Sequence, residues 1–209
     1  MTRAVFLDAL GTLVELEPPW EGLRGSVPDE ISDERLVAAV KSEMAYYREH
    51  AHEGRDPDSL ADLRERCAEL ISRELGAPIS AQELVNSVRF YPYADAEPAL
   101  QALRARQLKL IVVSNWDISL SSVLENCGIA PLLDGALSSA EAGSRKPEPQ
   151  IFAAALELAG CEPAEALHVG DTREEDCEGA RAAGIRALLL DREDGAGDIS
   201  SLRQIVDHL

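Results

Sequence analysis

Short apolar runs, each ending on a polar or small residue, recur along the chain. They are Ala4–Leu7 before Asp8, Leu108–Val113 before Ser114, Ala166–Val169 before Gly170 and Asp171, and Arg186–Leu190 before Asp191, with Gly135–Ser138 as a weaker fifth. Continuous apolar runs of this length read as strands buried on both faces of a parallel sheet. Between them lie stretches of helical periodicity, Pro98–Gln107, Ser119–Cys127, Pro149–Ala159 and Cys177–Ala183, and Gly128, Gly160 and Gly184 each follow one of these as a helix stop. Alternating strands and helices predict a doubly wound, Rossmann-like α/β core. Such sheets bind ligands beyond the carboxyl ends of their strands, which is where Asp8, Ser114 and Asp171 fall.

The stretch from Glu15 to Tyr93 breaks the alternation. Ser32–His50 carries Leu36, Val37, Val40, Met44 and Tyr47 at helical spacing, with Ser32 or Asp33 as N-cap. Asp58–Leu75 repeats the pattern through Leu60, Leu63, Cys67, Leu70 and Ile71, and Ser80–Val88 forms a third helix. The expectation is a small all-helical domain, residues 15–93, inserted into a core made of 1–14 and 94–209. The Pro-containing joints Glu17–Trp20 and Tyr91–Tyr93 are its expected hinges.

Composition narrows the function. The chain has 209 residues, 45% of them hydrophobic, and 20 Lys and Arg against 38 Asp and Glu give a net charge of −18. A chain this acidic gains little from counterion release on nucleic acid, and with 4% aromatic residues it has little to build a stacking platform from. No apolar run approaches the roughly 20 residues of a membrane span. Asp8 interrupts the N-terminal segment where a signal peptide would need its apolar region. The four cysteines, Cys67, Cys127, Cys161 and Cys177, are scattered without metal-like pairing and read as free thiols. The expected setting is the cytoplasm, and the expected partner a small molecule.

Four features carry candidate chemistry. Asp8 ends the first strand and leads into Ala9-Leu10-Gly11-Thr12. A carboxylate there serves as a nucleophile when a cation neutralises its surroundings, and as a turn residue otherwise. Ser114-Asn115 ends the next strong strand, where a hydroxyl and a backbone N–H are placed to bind an anionic oxygen or simply to make the strand-to-helix turn. Arg145-Lys146 precedes a helix opened by prolines, and Lys146 is one of only three lysines, with Lys41 and Lys109. Gly170-Asp171 opens an acidic turn that runs to Asp176. Carboxylates massed near one another raise each other's pKa. A hard divalent cation with oxygen ligands, Mg²⁺ foremost, resolves that conflict.

In this order on successive strand ends, the four features resemble the four motifs of the haloacid dehalogenase-like hydrolase superfamily. The insertion after the first motif is similar to the helical C1-type cap of that superfamily, which closes over the site. The resemblance implies that Asp8 is the nucleophile, that Ser114 hydrogen-bonds the substrate's phosphoryl or carboxylate group, and that Lys146 orients and neutralises Asp8. It further implies that Mg²⁺ is held by Asp8, Asp171 and the backbone carbonyl of Leu10, with Asp176 or Glu175 behind them. Thr12, Asn115 and, from the cap, Lys41 are the substrate-binding candidates.

One departure divides the superfamily's activities. Phosphatases carry a second Asp, acting as general acid and base, where this chain has Leu10. The 2-haloacid dehalogenases, whose halide leaves without a proton, resemble the chain at Asp8-Ala9-Leu10-Gly11-Thr12, yet they lack the Gly-Asp pair seen here as Gly170-Asp171. The phosphonatase branch also lacks the second Asp but uses a cap lysine, for which Lys41 is the sole candidate, on a helix where it otherwise reads as a solvated surface residue. The favoured expectation is an Mg²⁺-dependent phosphatase forming an aspartyl-phosphate on Asp8. A dehalogenase and a non-catalytic binding protein on the same scaffold are the alternatives. His50 and His52 point to different helix faces and make a poor metal pair, and His168, inside a strand run, reads as packed. Trp116 and Asp117, just after Ser114, are placed to line the cleft under the cap.

Overall fold

A computed structural model describes residues 1–193 and 195–209. In chain order the elements are β1 (Ala4–Leu7), β2 (Val14–Leu16), α1 (Pro19–Leu23), α2 (Asp33–His50), α3 (Pro57–Leu75), α4 (Ala81–Ser87), β3 (Phe90–Pro92), α5 (Ala96–Arg104), β4 (Lys109–Ser114), α6 (Leu120–Asn126), β5 (Gly135–Ser138), α7 (Ser139–Ala142), α8 (Pro149–Ala159), β6 (Ala166–Gly170), α9 (Gly179–Ala182) and β7 (Arg186–Leu189). A π-helical turn, Arg173–Glu178, precedes α9 where the sequence pattern predicts ordinary helix from Cys177.

Five strands form one parallel sheet in the order β5-β4-β1-β6-β7. The chain winds outward from β1 in one direction through β4 and β5, then in the other through β6 and β7. β1 therefore sits at the switch point, where a crevice opens at the carboxyl edge. Register fixes what meets there. Leu7 lies opposite Val112 on one side and Val169 on the other, so Asp8, Ser114 and Asp171 emerge within a residue of the same level.

The alternation of side chains along each strand feeds two cores. Val5, Leu7, Leu110, Val112, Leu167 and Val169 point to a layer built with α5, α6 and the C-terminal segment. Ala4, Phe6, Ile111 and Val113 point the other way, onto Ile151, Phe152 and Ala155 of α8. A third cluster lies within the segment between β2 and β3, through Leu36, Val40, Leu63, Ile71 and Leu84 of its helices and Ile31 and Ile79 of its connections. Helix α2 is capped by Ser32, whose side chain accepts from Arg35 N, and Asp56 and Ser59 form a reciprocal capping box at the start of α3.

The helical segment joins the core through two strands that periodicity does not announce. β2 and β3 pair antiparallel, Val14 opposite Pro92 and Leu16 opposite Phe90. No helix among the described residues is long and apolar enough to cross a membrane.

Ile71 is fully buried in the third cluster, so Ile71→Ala is expected to cost about 2–5 kcal/mol of stability. Loss of the α3 cap in Asp56→Ala should cost about 1 kcal/mol. Urea unfolding followed by far-UV circular dichroism should rank the two variants in that order.

Candidate active site

The carboxyl ends of β1, β4 and β6 bring a chain of charged contacts together. Asp8 Oδ1 accepts from Lys146 Nζ at 2.6 Å and from Ser114 Oγ at 2.9 Å. Lys146 Nζ also donates to Asp176 Oδ1 at 2.5 Å, so one ammonium bridges two carboxylates. Asp176 further accepts from Thr172 N at 3.0 Å, and His168 Nε2 lies 2.9 Å from its Oδ1. An ionised carboxylate only accepts, so the imidazole carries its proton on Nε2. Its Nδ1 is buried with no partner, and the ring stands edge-on to Phe152.

Local folding explains why these groups meet. Asn115 follows Ser114 out of β4 and clamps the Lys146 main chain: its Oδ1 accepts from Lys146 N at 2.7 Å and its Nδ2 donates to Lys146 O at 3.0 Å. The site also depends on two glycines. A β-carbon at Gly170 would overlap the Asp176 carboxylate, and one at Gly11, whose φ is +83°, would overlap that of Asp171.

Electrostatics divides the three carboxylates. Burial pushes Asp8 above the usual carboxylate range; Lys146 opposes that and Asp176 adds to it. Asp176 goes the other way: against burial, Lys146 and then His168 hold it well below its ordinary value. Lys146 is fully buried, and against that burial Asp176 and Asp8 hold its ammonium above the usual lysine value. Asp171 keeps an exposed surface and has no cationic hydrogen-bond partner among the described residues; partial desolvation, then the charges of Asp8 and Asp176, push it up to about 7. One oxygen from each of Asp8, Asp171 and Asp176 falls in a group whose atoms lie within 4.8 Å of one another, a set able to hold a metal ion. An all-oxygen donor set with unbalanced negative charge suits a hard cation.

This floor opens into a cavity of about 820 Å³ roofed by the helical segment. Glu43, Met44, Tyr47 and Arg48 of α2, Arg64 and Cys67 of α3, and Leu84 of α4 line it from above. The roof is fastened to the core where Tyr47 Oη donates to Asp117 Oδ2 at 2.8 Å and Ile118 N donates to Gly54 O at 3.0 Å.

Of the residues singled out from sequence, Asp8, Leu10, Ser114, Asn115, Lys146, Asp171, Glu175 and Asp176 line the cavity. Asn115 lines the cavity with its amide engaged on the Lys146 main chain. Of the pair Glu175 and Asp176, only Asp176 touches the charged chain; Glu175 faces Arg145 at 3.5 Å. Thr12 is buried with an unpartnered hydroxyl and lies outside the cavity lining. Lys41 is exposed on α2 and also lies outside the lining; it stands about 120° around the helix from Tyr47, six residues on. His168, read as merely packed, is joined to the site through Asp176. The signal for it was available in its position two residues before Gly170-Asp171 on a strand flanking β1.

The chain belongs to the haloacid dehalogenase-like hydrolases, whose family model matches residues 2–184. Among curated relatives, it is 38% identical over 136 residues to haloacid dehalogenase-like hydrolase domain-containing protein 3 of Bos taurus, covering 65% of this chain and 49% of that protein. It is 39% identical over 137 residues to the phosphoserine phosphatase of Thermus thermophilus, covering 62% of this chain and 55% of that one. The chain thus spans about half the length of these relatives. Among solved structures, L-2-haloacid dehalogenase from Xanthobacter autotrophicus superposes with a TM-score of 0.75 at 22% identity, covering 98% of this chain and 97% of that chain, a likeness of fold.

The charge on Asp171 gives the site a pH signature. Between its ordinary value of 3.8 and about 7, the folded protein holds a proton on Asp171 that the unfolded chain releases, so stability falls as pH rises through that window. A divalent cation competes for the deprotonated form. Adding one should therefore raise the melting temperature more at pH 8 than at pH 6, and Asp171→Asn should remove most of the increment in a thermal-shift measurement.

Proposed function

We propose that the chain is an Mg²⁺-dependent phosphoryl-transfer hydrolase in which Asp8 is the nucleophile. The observation that carries this reading is the excess of carboxylate over ammonium around Lys146: three acidic groups, one lysine, and Asp171 without a cationic partner among the described residues. Asp8, Asp171 and the Leu10 carbonyl would hold Mg²⁺, which supplies neutralising charge for the phosphoryl oxygens and relieves the carboxylate repulsion. The phosphatase relative supports the choice of phosphoryl over haloacid chemistry.

In this reading both hydrogen bonds to Asp8 go to Oδ1, which leaves Oδ2 as the oxygen that attacks phosphorus. A P–O bond forms to Asp8 as the bond to the leaving alkoxide or phenoxide breaks. Water then cleaves the aspartyl-phosphate, releasing phosphate and restoring the carboxylate. Ser114 and Lys146 hold Asp8 oriented through both steps, and Ser114 would also hydrogen-bond a phosphoryl oxygen. Residues 15–93 act as the cap that excludes water.

Leu10 offers no proton to the leaving group. The reaction therefore favours esters whose leaving group departs as an anion, since general acid help is worth about 10²–10⁴-fold. The substrate is a small anionic molecule. Arg48, Arg64 and Arg89 line the cavity and make no ion pair among the described residues, in a chain of charge −18.

With Mg²⁺, the protein should release phosphate from p-nitrophenyl phosphate, and Asp8→Asn should lower the rate at least about 10³-fold. Metal-independent chloride release from 2-chloropropionate, with no phosphate release, would transfer the chain to the dehalogenases. Leu10→Asp should raise the rate on alkyl phosphates by about 10²-fold or more and change aryl phosphate hydrolysis much less.

A further inference from the structure

The loop that follows Asp8 is held from outside the family-matched region. Arg192 lies beyond residue 184, in the segment after β7. Its Nη2 donates to Thr12 O at 2.7 Å and its Nε to Gly11 O at 3.3 Å. A second edge and one face of the guanidinium are also used. Nη1 and Nη2 each lie 3.1 Å from an oxygen of Asp95, and the plane stacks over the Tyr93 ring at 3.8 Å. Planar, bidentate and stacked contacts of this kind belong to arginine and not to lysine.

Asp95 is itself diverted to this task. It stands at the N-cap of α5 but makes no side-chain cap bond. Its Oδ2 instead accepts from Ser201 Oγ at 2.7 Å and Leu202 N at 2.9 Å, in addition to Arg192. Against partial burial, Arg192 and then Ser201 keep the Asp95 carboxyl below its ordinary value. The assembly ties together three segments distant in sequence: the turn after β1, the start of α5 just beyond β3, and the C-terminal segment.

The position of this knot matters for the site. Gly11 is packed against the Asp171 carboxylate so closely that no β-carbon fits. The turn closes on itself through Thr12, Leu13 and Val14, all donating to Ala9 O, and its far end is tied to β3 where Tyr93 N donates to Leu13 O at 3.0 Å. Among the described residues no side chain clamps the backbone at Leu10, and Arg192 supplies the side-chain clamp at the next two carbonyls.

We propose that Arg192 is a positioning residue for the cation site: it fixes the Leu10–Thr12 turn against Asp171, through Asp95, at the spacing that lets the Leu10 carbonyl and the carboxylates share one ion. The proposal rests on the cation reading above. Partners that orient ligating groups typically control metal affinity by about 10–100-fold.

The test is the affinity for Mn²⁺, followed by electron paramagnetic resonance of the free ion and by calorimetry, at a temperature well below unfolding. Arg192→Met should weaken binding at least tenfold and Arg192→Lys by less, whereas Arg3→Met, which breaks the distant pair with Glu165, should leave affinity unchanged. Asp95→Asn, which loosens Arg192 without removing it, should weaken binding in the same direction and serves if Arg192→Met fails to fold. A lower melting temperature with unchanged affinity in the Arg192 and Asp95 variants would overturn the proposal and leave the cation reading standing. Failure of the wild-type chain to bind Mn²⁺ through Asp171 would overturn both.

Discussion

The Lys146 ammonium, buried between Asp8 and Asp176, is the constraint around which the rest of the site is arranged. Removing a lysine charge from water costs several kcal/mol even after relaxation, and the cost is offset only by well-placed opposite charges with good hydrogen-bond geometry. Here two carboxylates approach to 2.6 and 2.5 Å. One comes from the end of β1 and the other from the turn after β6, so the bridge forms only when those strands are in register and the loop before α8 delivers the lysine between them. The Asn115 amide fixes that delivery by gripping the Lys146 main chain on both sides. A compact ammonium suits the place better than a guanidinium, because it points at two acceptors from one atom and leaves the space over Asp8 open.

With Lys146 in place, the negative charge still does not balance. Asp176 is fully satisfied by Lys146, His168 and Thr172 N, while Asp8 shares the same ammonium and keeps one oxygen unbonded. Asp171 has no cationic partner among the described residues, and its carboxyl is pushed upward. Gly11 and Gly170 let the carboxylates come this close, because a β-carbon at either would overlap Asp171 or Asp176. An arrangement that keeps like charges close is costly in isolation. A cation held among them would offset that cost.

Much of this was legible from the sequence because the sheet is buried on both faces. Its strands must be apolar throughout, so Asp8, Ser114 and Asp171 stand out as polar residues at their ends, and the core strands and most helices follow from simple periodicity. Lys146 stood out because lysine is so scarce in the chain. What escaped was of other kinds. β2 and β3 are three residues each, with Pro92 in one of them, too short to show alternation. The work of Asn115 is done on a main chain that no residue pattern describes. His168 sits in an apolar strand run like its neighbours, and its partner Asp176 reaches it from the π-helical turn after the strand. Lys41, a candidate by resemblance, is exposed on α2 outside the cavity lining, and such a resemblance does not fix which side of a helix faces the cavity.

Leu10 shows how the same economy shapes the chemistry. It lines the cavity and packs against the core layer that contains Leu13 and Trp116, so the wall beside Asp8 is apolar where an acid would be wetter. A drier wall strengthens the attraction of Lys146 and of any bound cation for a phosphoryl oxygen, because fewer waters screen them. It also withholds the proton that a poor leaving group needs. Under the proposed phosphoryl transfer the two consequences point the same way: stabilisation would be concentrated on the charge at phosphorus and none spent at the leaving oxygen. The reacting bond would then be one that breaks readily without protonation, and selection among substrates would fall to the leaving group's own acidity as well as to its fit beneath the helices.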